Sequence, residues 1–181
     1  MNREDALKLI EENVSNKNLR KHMLATEAVM RALARRFDQD EDLWGLTGLL
    51  HDLDYDQTFD NPQRHGLMSA EMLEDKDICE EAIYAIKSHP GHFPRKSLLD
   101  KALYAVDPIT GLIVAAALMH PTKKLKNVDS DFVERRFREK RFAAGANRDQ
   151  IKTCEEFGIS LHDFIELALT AMQEIDKDLG L

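Results

Sequence analysis

Apolar residues recur along this chain at intervals of three and four, the period of one helix face. In REDALKLIEENV the stripe is Ala6, Leu7, Ile10 and Val14, with Asn2 placed to cap it. NLRKHMLATEAVMRALARRF repeats the pattern through Leu19, Met23, Ala25, Val29, Met30 and Leu33. EDLWGLTGLLHDL predicts a third helix. PQRHGLMSAEMLED predicts a fourth, with Pro62 in its first turn, and DICEEAIYAIKSH a fifth, stopped by Pro90-Gly91. SLLDKALYAVDPITGLIVAAALMH is a long sixth. Pro108 should kink or break it, because proline lacks an N–H and crowds the preceding turn. DSDFVERRFREKRF, NRDQIKTCEEFG and SLHDFIELALTAMQEIDKDL predict three more. No stretch alternates with period two, so no sheet is expected. Long loops are expected only over 54–61 and 91–96. The expectation is an all-α bundle in one domain, residues 1–181, with a join near 120–130 to a C-terminal helical extension of about 121–181.

Several polar residues break this pattern. His22 shares a side with Ala25, Thr26 and Val29. His51-Asp52 ends the third helix, and Asp54 and Asp56 follow at once. His65 opens the fourth, and His89 ends the fifth with His92 just beyond. Asp107 sits in ALYAVDPITGLIVA among apolar neighbours, where an ionised carboxylate is costly unless paired or bound to a cation. Each residue has an ordinary reading. Asp107 before proline can cap a restarting helix, His22 can be a satisfied core histidine, and His65 can lie on the surface. The order is less ordinary. His, then His-Asp, then Asp, on separate helices, supplies nitrogen and oxygen ligands that suit a divalent transition metal. Adjacent helical residues point about 100° apart, so His51 and Asp52 serve one metal only at an irregular helix end, or serve two metals.

The net charge of −8 argues against nucleic-acid binding through a basic surface. The two cysteines, Cys79 and Cys154, form no close pair, which points to reduced thiols and a cytoplasmic setting. The first residues lack the apolar core of a signal peptide. The longest uninterrupted apolar run, GLIVAAALM, is too short for a membrane span, so no membrane association is expected.

His22, His51-Asp52 and Asp107, with the lead-in WGLTGLLHD, resemble the HD-domain superfamily of metal-dependent phosphohydrolases. The resemblance covers roughly residues 18–120 and implies an HD-like helical core. It implies that His22, His51, Asp52 and Asp107 hold a first metal and that Asp52 bridges to a second held by His65 and His89, as in the dinuclear diadenosine-tetraphosphate hydrolase branch. Asp52 would then hold the nucleophilic water. The metals would be iron, manganese, nickel, zinc or cobalt. Asp54 stands where relatives often carry Gly, and the segment DLDYDQT lacks the Lys that many relatives place after the His-Asp pair.

Phosphoryl transfer needs positive charge around the transferred group. Arg20 and Lys21 directly precede His22, Arg64 precedes His65, and Lys87, Arg95 and Lys96 flank the His89 turn. Residues 123–141 hold eight basic residues against four acids. That segment reads either as a solvated helix laced with salt pairs or as a phosphate-recognising flap, with Arg135 and Arg138 beside Phe132 and Phe137. Asp54 can orient a ligand histidine through a hydrogen bond. The expected activity is hydrolysis of a phosphoester or phosphoanhydride in a small nucleotide-like substrate. The alternative is a non-catalytic regulatory or ligand-binding domain of the same fold. Such modules typically lack some metal ligands, and this chain keeps all four core positions. The last helix could pack on its own core or on a second copy in a homodimer. His120 and His162 are expected to lie outside the site.

Overall fold

The computed structural model describes residues 1–181, and all of its regular structure is helical. Short polar side chains set where the helices begin. Asn2 accepts the Asp5 N–H and starts α1 (Arg3–Asn13), as its position predicts. Asn16 starts α2 (Lys17–Arg36), and Asp40 starts α3 (Glu41–Leu50). The chain leaves α3 through a turn over 51–54 and makes one short helix, α4 (Tyr55–Thr58). Next come α5 (Leu67–Leu73), α6 (Glu80–Ser88) and α7 (Leu98–Met119). Ser97 and Asp100 form a reciprocal capping box at the start of α7. The C-terminal extension contributes α8 (Ser130–Arg138), α9 (Arg148–Lys152), α10 (Leu161–Gln173) and α11 (Asp176–Leu179).

Three expectations need correction. The fourth predicted helix begins only at Leu67, not at Pro62, because Gly66 stands at φ +76°. A Cβ at Gly66 would also lie 2.9 Å from the Ile86 carbonyl oxygen. Pro108 does not break the sixth helix, since α7 runs through it as one element. The proline leaves the Tyr104 carbonyl without its usual helical donor, and Gln150 Nε2 donates to that oxygen at 2.8 Å. Unbroken, α7 has the length and apolarity of a membrane span, yet it is the central core helix, with Leu103, Val106, Ile109 and Ile113 fully buried. The C-terminal helices are also shorter than their patterns suggest. NRDQIKTCEEFG divides into α9 and a 3₁₀ turn that Gly158 ends at φ +82°.

Apolar side chains pack in two clusters. The smaller joins α1, α2, α3, α5 and α6 through Ile10, Met23, Leu49, Leu50, Leu53, Leu73 and Ile86. The larger surrounds α7 and takes in the extension through Val133, Phe137, Ile151, Phe157, Phe164 and Met172. The apolar face of α10 is thus spent on the chain's own core.

At Gly48 the helix α3 closely approaches the backbone of α2. A Cβ there would lie 2.9 Å from the Thr26 carbonyl oxygen and 2.9 Å from Met30 Cγ. His22 lies one turn before Thr26, and His51 lies three residues after Gly48. Close contact at this point therefore sets the spacing of the two histidines. Gly48→Ala should destabilise the fold by about 1–3 kcal/mol through overpacking against backbone. Chemical denaturation should show that loss, and elemental analysis should show less bound metal.

Candidate metal centre

Four histidines and two aspartates converge where α2, α3, the 51–54 turn, the 62–66 turn, α6 and α7 meet. His22 Nε2 lies 3.1 Å from His51 Nε2 and 3.1 Å from Asp107 Oδ1. His65 Nε2 lies 3.1 Å from His89 Nε2. Asp52 stands between the two groups. Its Oδ2 is 3.5 Å from His22 Nε2, and its Oδ1 is 3.4 Å from the Nε2 atoms of His51, His65 and His89. Metal–ligand bonds of about 2.0–2.2 Å place neighbouring donors about 3–3.5 Å apart, so these separations suit shared coordination. His22, His51 and Asp107 form one candidate chelating group, and His51, Asp52 and His89 a second. The centre can hold one or two divalent ions.

The far side of each imidazole is already committed. His51 Nδ1–H donates to the Gly48 carbonyl at 2.8 Å, and His89 Nδ1–H to the Ile86 carbonyl at 2.6 Å. His65 Nδ1–H donates to Asp54 Oδ1 at 2.9 Å. His22 Nδ1 meets Thr110 Oγ1 at 2.8 Å. The Thr110 hydroxyl donates to the Asp107 carbonyl, which leaves its oxygen free to accept from the ring. Carbonyls and carboxylates only accept, so these partners keep the proton on Nδ1 and turn a bare Nε2 inward. Nitrogen lone pairs facing each other at 3.1 Å, beside two carboxylates, repel unless a proton or a metal cation lies between them. The donor set therefore fits a metal.

The electrostatics agree. Burial opposes a proton on His51, but the charges of Asp52 and Asp107 prevail and raise its pKa to about 9. Burial also opposes ionisation of Asp52 and Asp107, and the histidines around them hold both carboxyls well below the usual range. His89 is pushed down by burial. Asp107 remains 30% exposed and forms part of the rim of the centre. It lies mid-helix and starts no helix, which removes the capping role that its sequence left open.

Asp54 is fully buried and accepts from His65 Nδ1–H. Beyond His65, it accepts from the backbone N–H groups of Gly66 and Ser69 through Oδ2, at 2.8 and 3.0 Å. Asp56 lies outside the centre. It accepts from Ser15 and Asn16 and ties down the α1–α2 junction.

Most of the cations anticipated from sequence are placed elsewhere. Arg20 donates to the Val14 and Glu11 carbonyls at the end of α1. Arg64 pairs with Glu71, and Arg95 with Glu156. Along α8, Arg138 pairs with Glu134 and Arg136 with Glu139, while Arg135 lies over the Phe132 ring. This is the solvated, salt-paired helix. Neither Arg135 nor Arg138 lines the cleft that opens from the centre. Lys21 lines an adjoining groove with Ala25 and Val114. His92 Nε2 donates to the Pro62 carbonyl, outside the ligand cluster.

Sequence reasoning missed Thr110, Ser69 and Tyr55. Thr110 and Tyr55 each lie three residues after an aspartate of the centre, and that spacing could have flagged them. Tyr55 lines the cleft with its ring centroid 5.2 Å from that of His65.

A family model described as the HD domain matches residues 19–117 of the chain. Neither the comparison with curated proteins nor that with solved structures returns a match.

Metal must displace the proton that His51 holds below pH about 9. Apparent affinity should therefore rise with pH, by about tenfold per unit for one displaced proton. Titration of stripped protein at pH 6, 7 and 8 checks the slope. Asp54→Asn should weaken metal binding by about 10- to 100-fold. Either orientation of the amide turns an NH₂ toward an N–H donor, from His65 or from Gly66 and Ser69. The metal dissociation constant measures the loss.

Proposed function

The chain belongs to the HD-domain family, and on that premise we propose that it hydrolyses a small phosphorylated, nucleotide-like substrate. The metal-dependent hydrolase chemistry itself follows from the family and from the buried His/Asp clusters. The observation that carries the reading is the convergence of four Nε2 atoms and two carboxylates, with every opposite ring nitrogen already bonded.

In this reading His22, His51, Asp52 and Asp107 hold one ion, and Asp52, His65 and His89 hold a second. Iron, manganese, nickel, zinc and cobalt all suit such donors. When bound, divalent ions lower the pKa of water and polarise phosphoryl oxygens. The protein's part is positional. Asp52 sets Oδ2 beside His22 and Oδ1 beside His51, His65 and His89, and Asp54 and Thr110 lock the rings of His65 and His22. Asp107 and Tyr55 border the mouth through which a phosphoryl group enters. Lys21 is the cation we retain as a substrate contact. A cytoplasmic setting belongs to the same reading and is supported by the free thiols of Cys79 and Cys154. The full donor set favours catalysis over a purely regulatory role.

Protein loaded with each of these metals in turn should release phosphate or a nucleotide from a panel of phosphoesters and phosphoanhydrides. His51→Ala should lower both metal content and turnover, the latter at least a hundredfold. Unchanged metal content in that variant, together with no turnover by the parent, would falsify the reading.

A further inference from the structure

We propose that the loop 142–147 of the C-terminal extension is a phosphate-receiving site built from backbone N–H groups, and that it holds a phosphate of the substrate other than the one at the metals. The proposal rests on the phosphohydrolase reading. It adds a site outside residues 19–117, the part of the chain that the family model matches.

Arg148 shapes this loop, and its guanidinium hydrogen-bonds only to main-chain carbonyls. The two outer nitrogens donate to the carbonyls of Phe142, Ala143 and Ala146, and Nε donates to that of Phe137. Burial lowers the Arg148 pKa, and no neighbouring acid opposes that. In a planar trans peptide, the C=O of one residue and the N–H of the next point in opposite directions. Drawing the carbonyls of Phe142, Ala143 and Ala146 onto Arg148 therefore turns the N–H groups of Ala143, Ala144 and Asn147 away from it. None of these three, nor the N–H of Gly145, donates to a backbone carbonyl. Ala143 stands at φ +43°. A left-handed residue in a turn gathers successive N–H groups into a concavity that favours anions.

The loop stands beside the metal centre. Ala143, Gly145 and Ala146 wall a cleft of about 360 Å³ that begins at His22 and Asp107, and Arg148 does not line it. The guanidinium thus lies behind the loop, and the N–H groups turned away from it lie on the cleft side. Gly145 also reaches the space directly over the centre, which Asp52 and His65 line. Gln150, two residues past Arg148, anchors the segment to α7 through the Tyr104 carbonyl.

The charges favour an anion there. Residues 140–148 contain Lys140, Arg141 and Arg148 and no acid, in a chain of net charge −8. Lys21 lines the groove that shares His22 and Gly111 with this cleft, and it brings a further positive charge to the same connected space. The one carboxylate in the cleft, Asp107, turns Oδ1 toward the Nε2 atoms of His22 and His51, on the side of the metal ligands.

The test uses the full chain loaded with Mn²⁺ and two probes that resist hydrolysis. Methylphosphonate carries one phosphate-like group, and methylenediphosphonate carries two. Calorimetry gives their dissociation constants. Arg148→Lys keeps the charge and loses the planar fork that gathers the carbonyls. Gly145→Asp sets a carboxylate beside the N–H groups, at an exposed position where a Cβ meets nothing within 4 Å. Each variant should weaken the diphosphonate by about tenfold or more, the loss expected for one hydrogen bond to a charged group. Each should weaken the monophosphonate by less than about threefold, with metal content kept. Gly145→Asp should also keep the parental unfolding temperature, so it decides the outcome if Arg148→Lys does not fold. Equal weakening of both probes overturns this proposal alone, as does parental affinity for the diphosphonate in Gly145→Asp. A parent that binds the diphosphonate no more tightly than the monophosphonate overturns it too. No binding of either probe, with no turnover of any phosphate compound, overturns it together with the reading beneath it.

Discussion

Gly48 has no side chain, and α3 therefore meets the Thr26 carbonyl of α2 at a distance that a Cβ would fill. Helix pairs held apart by side chains sit about 8–10 Å axis to axis. Here a glycine stands at the crossing, one turn from each histidine of the first ligand group. His51 then uses the Gly48 carbonyl itself as the acceptor for its Nδ1–H. One residue thus sets both the separation of two rings and the tilt of one of them.

Around that crossing, each donor is fixed by a different local device. A backbone carbonyl one turn back orients His51 and His89. Buried Asp54 orients His65, and a threonine one turn beyond Asp107 orients His22. None of these supports lies between the donors, so the interior of the centre is left to nitrogen and oxygen lone pairs. Burial in two apolar clusters raises the cost of that unpaired negative charge, and a divalent cation relieves it. Packing and chemistry are coupled here. Leu50 and Leu53 flank the His-Asp pair in one cluster, and Val106 and Ile109 flank Asp107 in the other.

Much of this was legible in the sequence because helical periodicity is a local signal. It located α1, α2, α3, α6 and α7, and it exposed His22 and Asp107 as polar residues on apolar faces. The His-Asp pair gained meaning only from its order among the other ligands. What stayed hidden depends on distant contacts. The start of α5 is fixed by Gly66 meeting the Ile86 carbonyl, which no local pattern reveals. The basic residues were visible as charge, but their partners were not. Arg20 was expected near phosphate and instead closes the end of α1, whose carbonyls lie within reach only after the α1–α2 turn folds. Asp56, read as a loop residue and not a catalyst, holds that same turn through Ser15 and Asn16.

Pro108 is usually counted as a residue that interrupts a helix. In α7 it instead removes one donor from an otherwise closed ladder and leaves one carbonyl, that of Tyr104, open on a long apolar helix. Gln150 occupies it. A single vacancy in a uniform surface works as an address. It adds a directional bond to the apolar contacts between the extension and α7. The observed register satisfies the Tyr104 carbonyl, and it sets the height at which the loop before α9 stands beside Asp107.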